Sequence, residues 1–295
     1  MAQLKYITRE ASDTISAGKI VNFNIPAYDS ICQMFLNFTN NGAPATIENI
    51  LSSIRMINLK INGDDVITVS PTNLTNVIKA LGQNVYHNSN SNVLPLNVVK
   101  LMYPNMVDRS VFDLGCDGWA YKNGAMLKIS NIQLQVVCNA TITDLTDVEV
   151  ITERINKGTG LNITRAYGKL LTYEENISGT GVSPITSLPK NIEEGYLAVF
   201  ANPYDGVISK GEVKVNNYYA IQETPIDAMN AVINQRGYGN VKGIFPYIFA
   251  DGNVQTALSA TGVDDFRFNT TFTKAPTTGK YDLVALTIKQ PSAIM

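Results

Sequence analysis

The stretch Leu59–Leu81, LKINGDDVITVSPTNLTNVIKAL, constrains this chain more than any other, because its pattern returns once. Leu59-Lys60-Ile61 alternates in polarity and runs into Asn62-Gly63, after which Val66-Ile67 leads away again. Asn and Gly tolerate positive φ, so an Asn-Gly pair between short alternating segments predicts a tight hairpin. Ser70-Pro71 follows. A serine hydroxyl accepts from the free N–H groups of a first helical turn, and proline fits the first helical position because its missing donor has no partner there anyway. Leu74, Val77, Ile78 and Leu81 then fall on one helical face, and Gly82 supplies a left-handed stop. The order predicted is hairpin, cap, short amphipathic helix, stop.

The pattern recurs in Val213–Gly237, VKVNNYYAIQETPIDAMNAVINQRG. An offset of 154, from Asn62 to Asn216, pairs Lys60 with Lys214, Ile67 with Ile221, Pro71 with Pro225 and Asn76 with Asn230. Thr224-Pro225 repeats the cap and proline, Asp227 stands where a first-turn carboxylate supports a cap, and Ala228, Ala231 and Val232 repeat the apolar stripe. Gly237 repeats the stop one residue late. A unit that returns with turn, cap and stop in order predicts two similar domains in tandem, 1–150 and 151–295.

Around these units the chain reads as short strands separated by turns. Ile20–Ile25, Ile31–Phe38, Val98–Tyr103, Arg109–Leu114 and Met126–Ala140 are predicted strands of the first half. Tyr196–Ala201, Ile244–Phe249, Phe266–Phe272 and Tyr281–Ile288 are those of the second, with Tyr196–Ala201 the counterpart of Ile31–Phe38. Residues 1–20 read as a polar arm, Tyr86–Leu94 and Ser178–Pro189 as loops, and Asp144–Gly160 as the linker. Ile47–Ile57 mixes both periods and is left open. Strands at this spacing indicate sandwiches or barrels, and the fold expected is all-β: two tandem eight-stranded jelly rolls, each with a short helix.

Composition narrows the function. Of 295 residues 45% are hydrophobic and only 16% charged, against about 25% charged in a usual soluble domain. Such a chain suits a protein that covers much of its surface with other subunits, and Asn/Thr-rich secreted β-proteins have a similar composition. Net charge is −2 and there is no Lys/Arg run, so direct nucleic-acid binding is not expected. Cys32, Cys116 and Cys138 are odd in number and lack metal spacing, which predicts buried thiols in a reducing compartment. The start, MAQLKYITREASD, has no apolar signal region, and no run approaches the ~20 residues of a membrane span. The expectation is a soluble protein made in the cytoplasm.

Catalytic signals are poor, and no catalytic, cofactor-binding or metal residue is assigned. His87 is the only histidine and lies in a polar loop, so any Ser- or Cys-based triad would depend on it. Zinc and EF-hand patterns are absent, and so is a phosphate-cradling loop, since Gly237–Gly243 does not open a helix. Asp113–Asp117 and Asp251-Gly252-Asn253 are weak candidates for ion ligands. Asp64-Asp65 and Asp264-Asp265 are carboxylate pairs, but neighbours on an extended chain point to opposite faces, so neither makes a dyad alone. Tyr218-Tyr219 and Phe245-Pro246-Tyr247 read as core or interface packing, with stacking on a base or sugar as the alternative for the first.

With the hairpin–helix unit at Ile57–Leu81 and again at Glu212–Gln235, and with Leu188-Pro189 leading a strand within Ile185–Phe200, the chain resembles a family. That family is the double jelly-roll major capsid proteins of tailless, membrane-containing icosahedral bacteriophages, corticovirus-like or finnlakevirus-like. The resemblance implies a non-enzymatic major capsid protein that forms homotrimers of pseudo-hexagonal outline. It implies neighbouring capsomers, vertex (penton) and minor capsid proteins as partners, an internal membrane vesicle nearby, and a place in the virion after synthesis in the host cytoplasm. Some relatives hold structural calcium, but no residue here is assigned as a ligand. Two readings compete: a receptor- or carbohydrate-binding β-sandwich of spike type, and a glycan-active enzyme on a jelly-roll scaffold.

Overall fold

The computed structural model describes residues 5–82, 92–96, 119–122, 125–128, 131–155, 168–190, 194–250, 257–259, 262–263 and 265–288. The chain divides into two compact units. The first runs to Ile78 and includes Asn84–Lys169, and the second holds Lys79–Gln83 and Leu170–Lys289.

The first unit contains β1 (Lys5–Thr14), β2 (Ile20–Ile25), β3 (Ser30–Asn40), β4 (Ala43–Pro44), α1 (Ile47–Ser53), β5 (Ile54–Ile61), β6 (Asp64–Val69), α2 (Pro71–Ala80), β7 (Val93–Pro95), β8 (Trp119–Lys122), β9 (Ala125–Lys128), β10 (Ile132–Cys138) and β11 (Asp147–Ile155). One sheet has the order β1-β11-β3, with β4 and β7 both pairing β3, and the other runs β2-β10-β5-β6. β8 and β9 form a separate ribbon.

The second unit contains β12 (Gly168–Asn176), β13 (Gly181–Ile185), β14 (Gly195–Asn202), β15 (Val207–Val215), β16 (Tyr218–Pro225), α3 (Ile226–Gln235), β17 (Phe245–Ile248), β18 (Leu258–Ser259), β19 (Phe266–Lys274) and β20 (Lys280–Ile288). Its sheets run β12-β20-β14-β17, with β18 added on β14, and β13-β19-β15-β16. Strand for strand, β1-β11-β3-β7 matches β12-β20-β14-β17, and β2-β10-β5-β6 matches β13-β19-β15-β16. Each unit is an eight-stranded jelly roll, and its helix follows the same strand in both.

Local chemistry explains the duplicated unit. Asn62 and Gly63 have φ of 50° and 86°, and Asn216 and Asn217 have 45° and 69°, so both hairpins turn through two left-handed residues. Ser70 Oγ accepts from Asn73 N at 3.2 Å, the predicted cap. Leu74, Val77, Ile78 and Leu81 are all buried. The second helix departs from prediction: Ala228, Ala231 and Val232 are exposed, and Met229 and Ile233 are buried instead. Register gives the cause. Leu59 pairs Ile67 as Val213 pairs Ile221, an offset of 154 on both strands, but Ile57 pairs Val69 while Gly211 pairs Thr224, an offset of 155 on the outgoing strand. One extra residue in β16 between Ile221 and Thr224 rotates the helical stripe by one position. Pro225 becomes the cap residue with no side-chain cap bond, and Thr224 Oγ1 donates to Gln222 O.

Other expectations are corrected. The polar arm is β1, an edge strand whose outward side chains face water, which hides its period. The linker segment contains β11, whose Val148, Val150, Thr152 and Arg154 point inward while its acids point out. The loop Ser178–Pro189 contains β13, an edge strand that tolerates Pro184. Met126–Ala140 spans two strands, β9 and β10. The open segment begins as α1, capped by Thr46 Oγ1, which accepts from Asn49 N at 3.3 Å, so the first half has a second helix. The strands expected at Val98–Tyr103 and Arg109–Leu114 lie outside the described residues.

The first core is mostly aliphatic. Phe23, Leu134 and Leu59 face one another across three strands, as do Val21, Val136 and Ile57, and Ile25, Ile132 and Ile61. Fully burying each such side chain contributes roughly 1.5–3 kcal/mol. The second core is aromatic: Tyr196 stacks on Phe266 at 5.4 Å, Tyr247 meets Phe268 edge-on at 5.3 Å, and Phe272 meets Tyr281 at 5.0 Å. Gly211 occupies the place of Ile57. A Cβ there would lie 2.4 Å from Phe245 Cε1, so the missing side chain is what admits the aromatic rings.

Candidate functional site

The residues that carry reactive chemistry do not converge. Asp65 pairs with Lys60 at 3.2 Å beside the first hairpin turn, and Asp265 accepts from Arg267 Nε at 2.6 Å in the second unit. Each is an exposed or half-exposed ion pair. Asp264, His87, Asp113–Asp117 and Asp251-Gly252-Asn253 lie outside the described residues, as do Cys116 and the side chains of Cys32 and Trp119. Cys138 is buried and free, and burial pushes its thiol pKa up. Among the described residues no three His, Cys, Asp or Glu side chains group as metal ligands. Gly237, which begins the glycine-rich segment Gly237–Gly243, ends α3: its N–H donates to Asn234 O and that of Tyr238 to Ile233 O, a Schellman close with Gly237 at φ 82°.

One charged cluster escaped the sequence reading. β1 pairs Arg9 with Ile151 and then Ala11 with Val150, so Glu10 is an extra residue in the ladder. A bulge re-aims a side chain. Here it sends the Glu10 carboxylate inside, where Arg154 Nε donates to it at 2.7 Å and Thr152 Oγ1 donates as well. Arg154 is fully buried, donates to the carbonyls of Pro26 and Tyr28, and lies 4.1 Å from the Tyr28 ring centroid. Tyr6 donates to Asp29 at 2.5 Å next to it. Every polar atom of this cluster named here has a partner inside the fold, so its role is to hold β1, β11 and the 26–29 connection together. No residue spacing marks a bulge before the partner strand is known.

The surface is where the second unit stands out. Phe245 and Tyr247 are core, as expected, but Tyr218 is 80% exposed and Tyr219 51% exposed. They begin β16, an edge strand with no buried side chain, and Val232 on α3 is also exposed. Lys214 Nζ sits 5.2 Å from the Tyr219 ring centroid, and Lys210 pairs with Glu223 at 2.5 Å. The exposed face mixes these apolar side chains with Gln222, Glu223, Asp227, Asn234, Gln235 and Arg236. The sequence carries its signal only as a tyrosine pair, because burial of the matching strand β6 gives no hint that β16 is open.

No family model and no curated protein matches the sequence. Solved structures match the fold over nearly the whole chain. The major capsid protein P2 from bacteriophage PM2 is 12% identical, with a TM-score of 0.76 over 97% of both chains. The STIV MCP is 13% identical, with a TM-score of 0.68 over 99% of this chain and 100% of its own. The PBCV-1 virus capsid structure is 11% identical, with a TM-score of 0.63 over 98% and 95%. At such identities the likeness is one of fold. The two sandwiches described above thus share the double jelly-roll fold of these capsid proteins.

Proposed function

We propose that this chain is a major capsid protein, a structural subunit of an icosahedral virion. The observation that carries the reading is that both jelly rolls, in order, match a capsid protein over 97% of each chain. Two like domains per chain let three copies present six similar blocks, so the reading extends to a homotrimeric capsomer of pseudo-hexagonal outline. It extends further to a shell of such capsomers with vertex and minor proteins, closed over an internal membrane in a tailless bacteriophage. The reading takes 1–150 and 151–295 as the two domains that each chain contributes to such a block. A chain only 16% charged agrees with large subunit interfaces, which are more hydrophobic than transient ones. The role is structural, with no catalysis.

Light scattering on the purified protein tests this. A particle of about 97 kDa, three times 32.2 kDa, or a shell visible by electron microscopy is the expected result. A monomer at every concentration overturns it. The exposed Tyr218-Tyr219 pair favours the competing reading, a carbohydrate- or receptor-binding sandwich. Glycan binding by a monomer, lost on Tyr218→Ala, is the result that would establish it.

A further inference from the structure

Two Asn-Gly pairs sit at exposed hairpin tips of the first unit, Asn41-Gly42 between β3 and β4 and Asn62-Gly63 between β5 and β6. Their backbones are alike: φ is 48° and 83° in the first pair and 50° and 86° in the second. A Cβ on either glycine would meet nothing within 4 Å, so both tips are open. The side chains differ. Asn62 is clamped to the start of the neighbouring strand: its N–H donates to Asn131 O at 2.8 Å, and its Oδ1 accepts from Asn131 N at 3.1 Å. The second unit repeats the clamp, with Asn216 N–H donating to Asp265 O at 2.7 Å and Asn216 Oδ1 accepting from Asp265 N at 3.1 Å. Asn131 precedes β10 and Asp265 precedes β19, which are matching strands, so the clamp belongs to the duplicated unit. Asn41 has no such hold. Among the described residues its carboxamide reaches only Asn40 Oδ1, at 3.3 Å in an exposed contact.

We propose that Asn41-Gly42 is a site of covalent modification, losing ammonia through a cyclic imide, and that the clamp protects Asn62-Gly63 from the same reaction. The Gly42 backbone nitrogen, once its proton has passed to a solvent base, attacks Asn41 Cγ. The new N–Cγ bond closes a five-membered ring, and the Cγ–Nδ2 bond breaks as Nδ2 takes a proton from solvent and leaves as ammonia. Water then opens the ring at either carbonyl, giving aspartate or isoaspartate at this position. One water is consumed and one ammonia released. Glycine makes the attack feasible because no side chain shields its nitrogen. Ring closure requires the carboxamide carbon to swing onto that nitrogen. At Asn41 this gives up one exposed side-chain contact, and at Asn62 it breaks a bond to a backbone N–H. A net hydrogen bond corresponds to about a two- to tenfold difference in population. Each event adds one negative charge at the β3–β4 tip of a chain whose net charge is −2.

Peptide mapping of the purified full-length protein, kept folded in warm, mildly alkaline buffer, tests this. Trypsin separates the two pairs into segments 20–55 and 61–79, and each event adds about 1 Da. Fragmentation of the first segment is expected to place the gain at Asn41. In the folded protein that gain is expected to be about two- to tenfold faster than the gain in segment 61–79. In urea, where the clamp is gone, the two pairs are expected to react alike. Asn41→Gly keeps the left-handed turn and removes the carboxamide, so it is expected to keep the melting temperature and lose the gain in segment 20–55. Equal rates in the folded protein, or a faster gain in segment 61–79, overturn the inference. A gain in segment 20–55 that persists in Asn41→Gly overturns the site. A difference that persists in urea overturns the clamp as its cause.

Discussion

Arg154 has no exposed surface, and the Glu10 carboxylate beside it is almost as deeply enclosed. Removing one partner of such a pair leaves an uncompensated charge in the interior, a loss of about 3–5 kcal/mol. Arg154→Met is therefore expected to lower stability by about that much in urea unfolding, and Arg154→Met with Glu10→Leu to lower it far less. Equal losses for the single and double variants would show that the pair is not coupled. Gly211 makes the opposite point, since its lack of a side chain is what matters. Gly211→Ala forces a Cβ against the Phe245 ring and is expected to destabilise by about 1–3 kcal/mol, read as a lower denaturation midpoint at unchanged slope.

Among elements, the hairpin–helix unit is the one whose behaviour follows most directly from its residues. Ile78 is enclosed on the inner face of α2, so Ile78→Asp buries a charge and is expected to leave no soluble folded protein. Soluble trimers of that variant at wild-type yield would show that the face is not core. In the second hairpin Asn217 holds φ at 69°, a conformation glycine enters without steric cost. Asn217→Gly is expected to leave stability unchanged or raise it by up to about 1 kcal/mol, measured by thermal unfolding.

For the molecule as a whole, five buried or half-buried tyrosines set an alkaline limit. Burial first, and nearby carboxylates after it, push Tyr173 and Tyr281 up to about 12, and burial with the Asp29 hydrogen bond does the same for Tyr6. Burial raises Tyr196 and Tyr247 as well. Their folded pKa values lie above the ordinary 10.0, so unfolding favours the ionised form. The stability they contribute is complete below pH 10 and is lost as pH rises through about 12. The absorbance change from these five tyrosines is expected to come in one cooperative step with unfolding. A native protein in which these five titrate near pH 10 would contradict their shielding from water.

The turn at Asn62-Gly63, the Ser70 cap and the stops at Gly82 and Gly237 could all be read from the chain, and so could the duplication and the alternating strands. Each acts within a few residues, through backbone sterics or one short hydrogen bond. The contribution of β1, the inward bulge at Glu10 and the strand hidden in the supposed linker could not, because Lys5 meets Ile155 across 150 positions. The open state of β16 was hidden for the same reason. Its residues resemble those of β6 in kind, yet among the described residues they face water while those of β6 are enclosed. Conformation at a turn is a contest among neighbours, while pairing and burial are contests among distant segments for the same apolar surface, and only the folded chain shows which segment won.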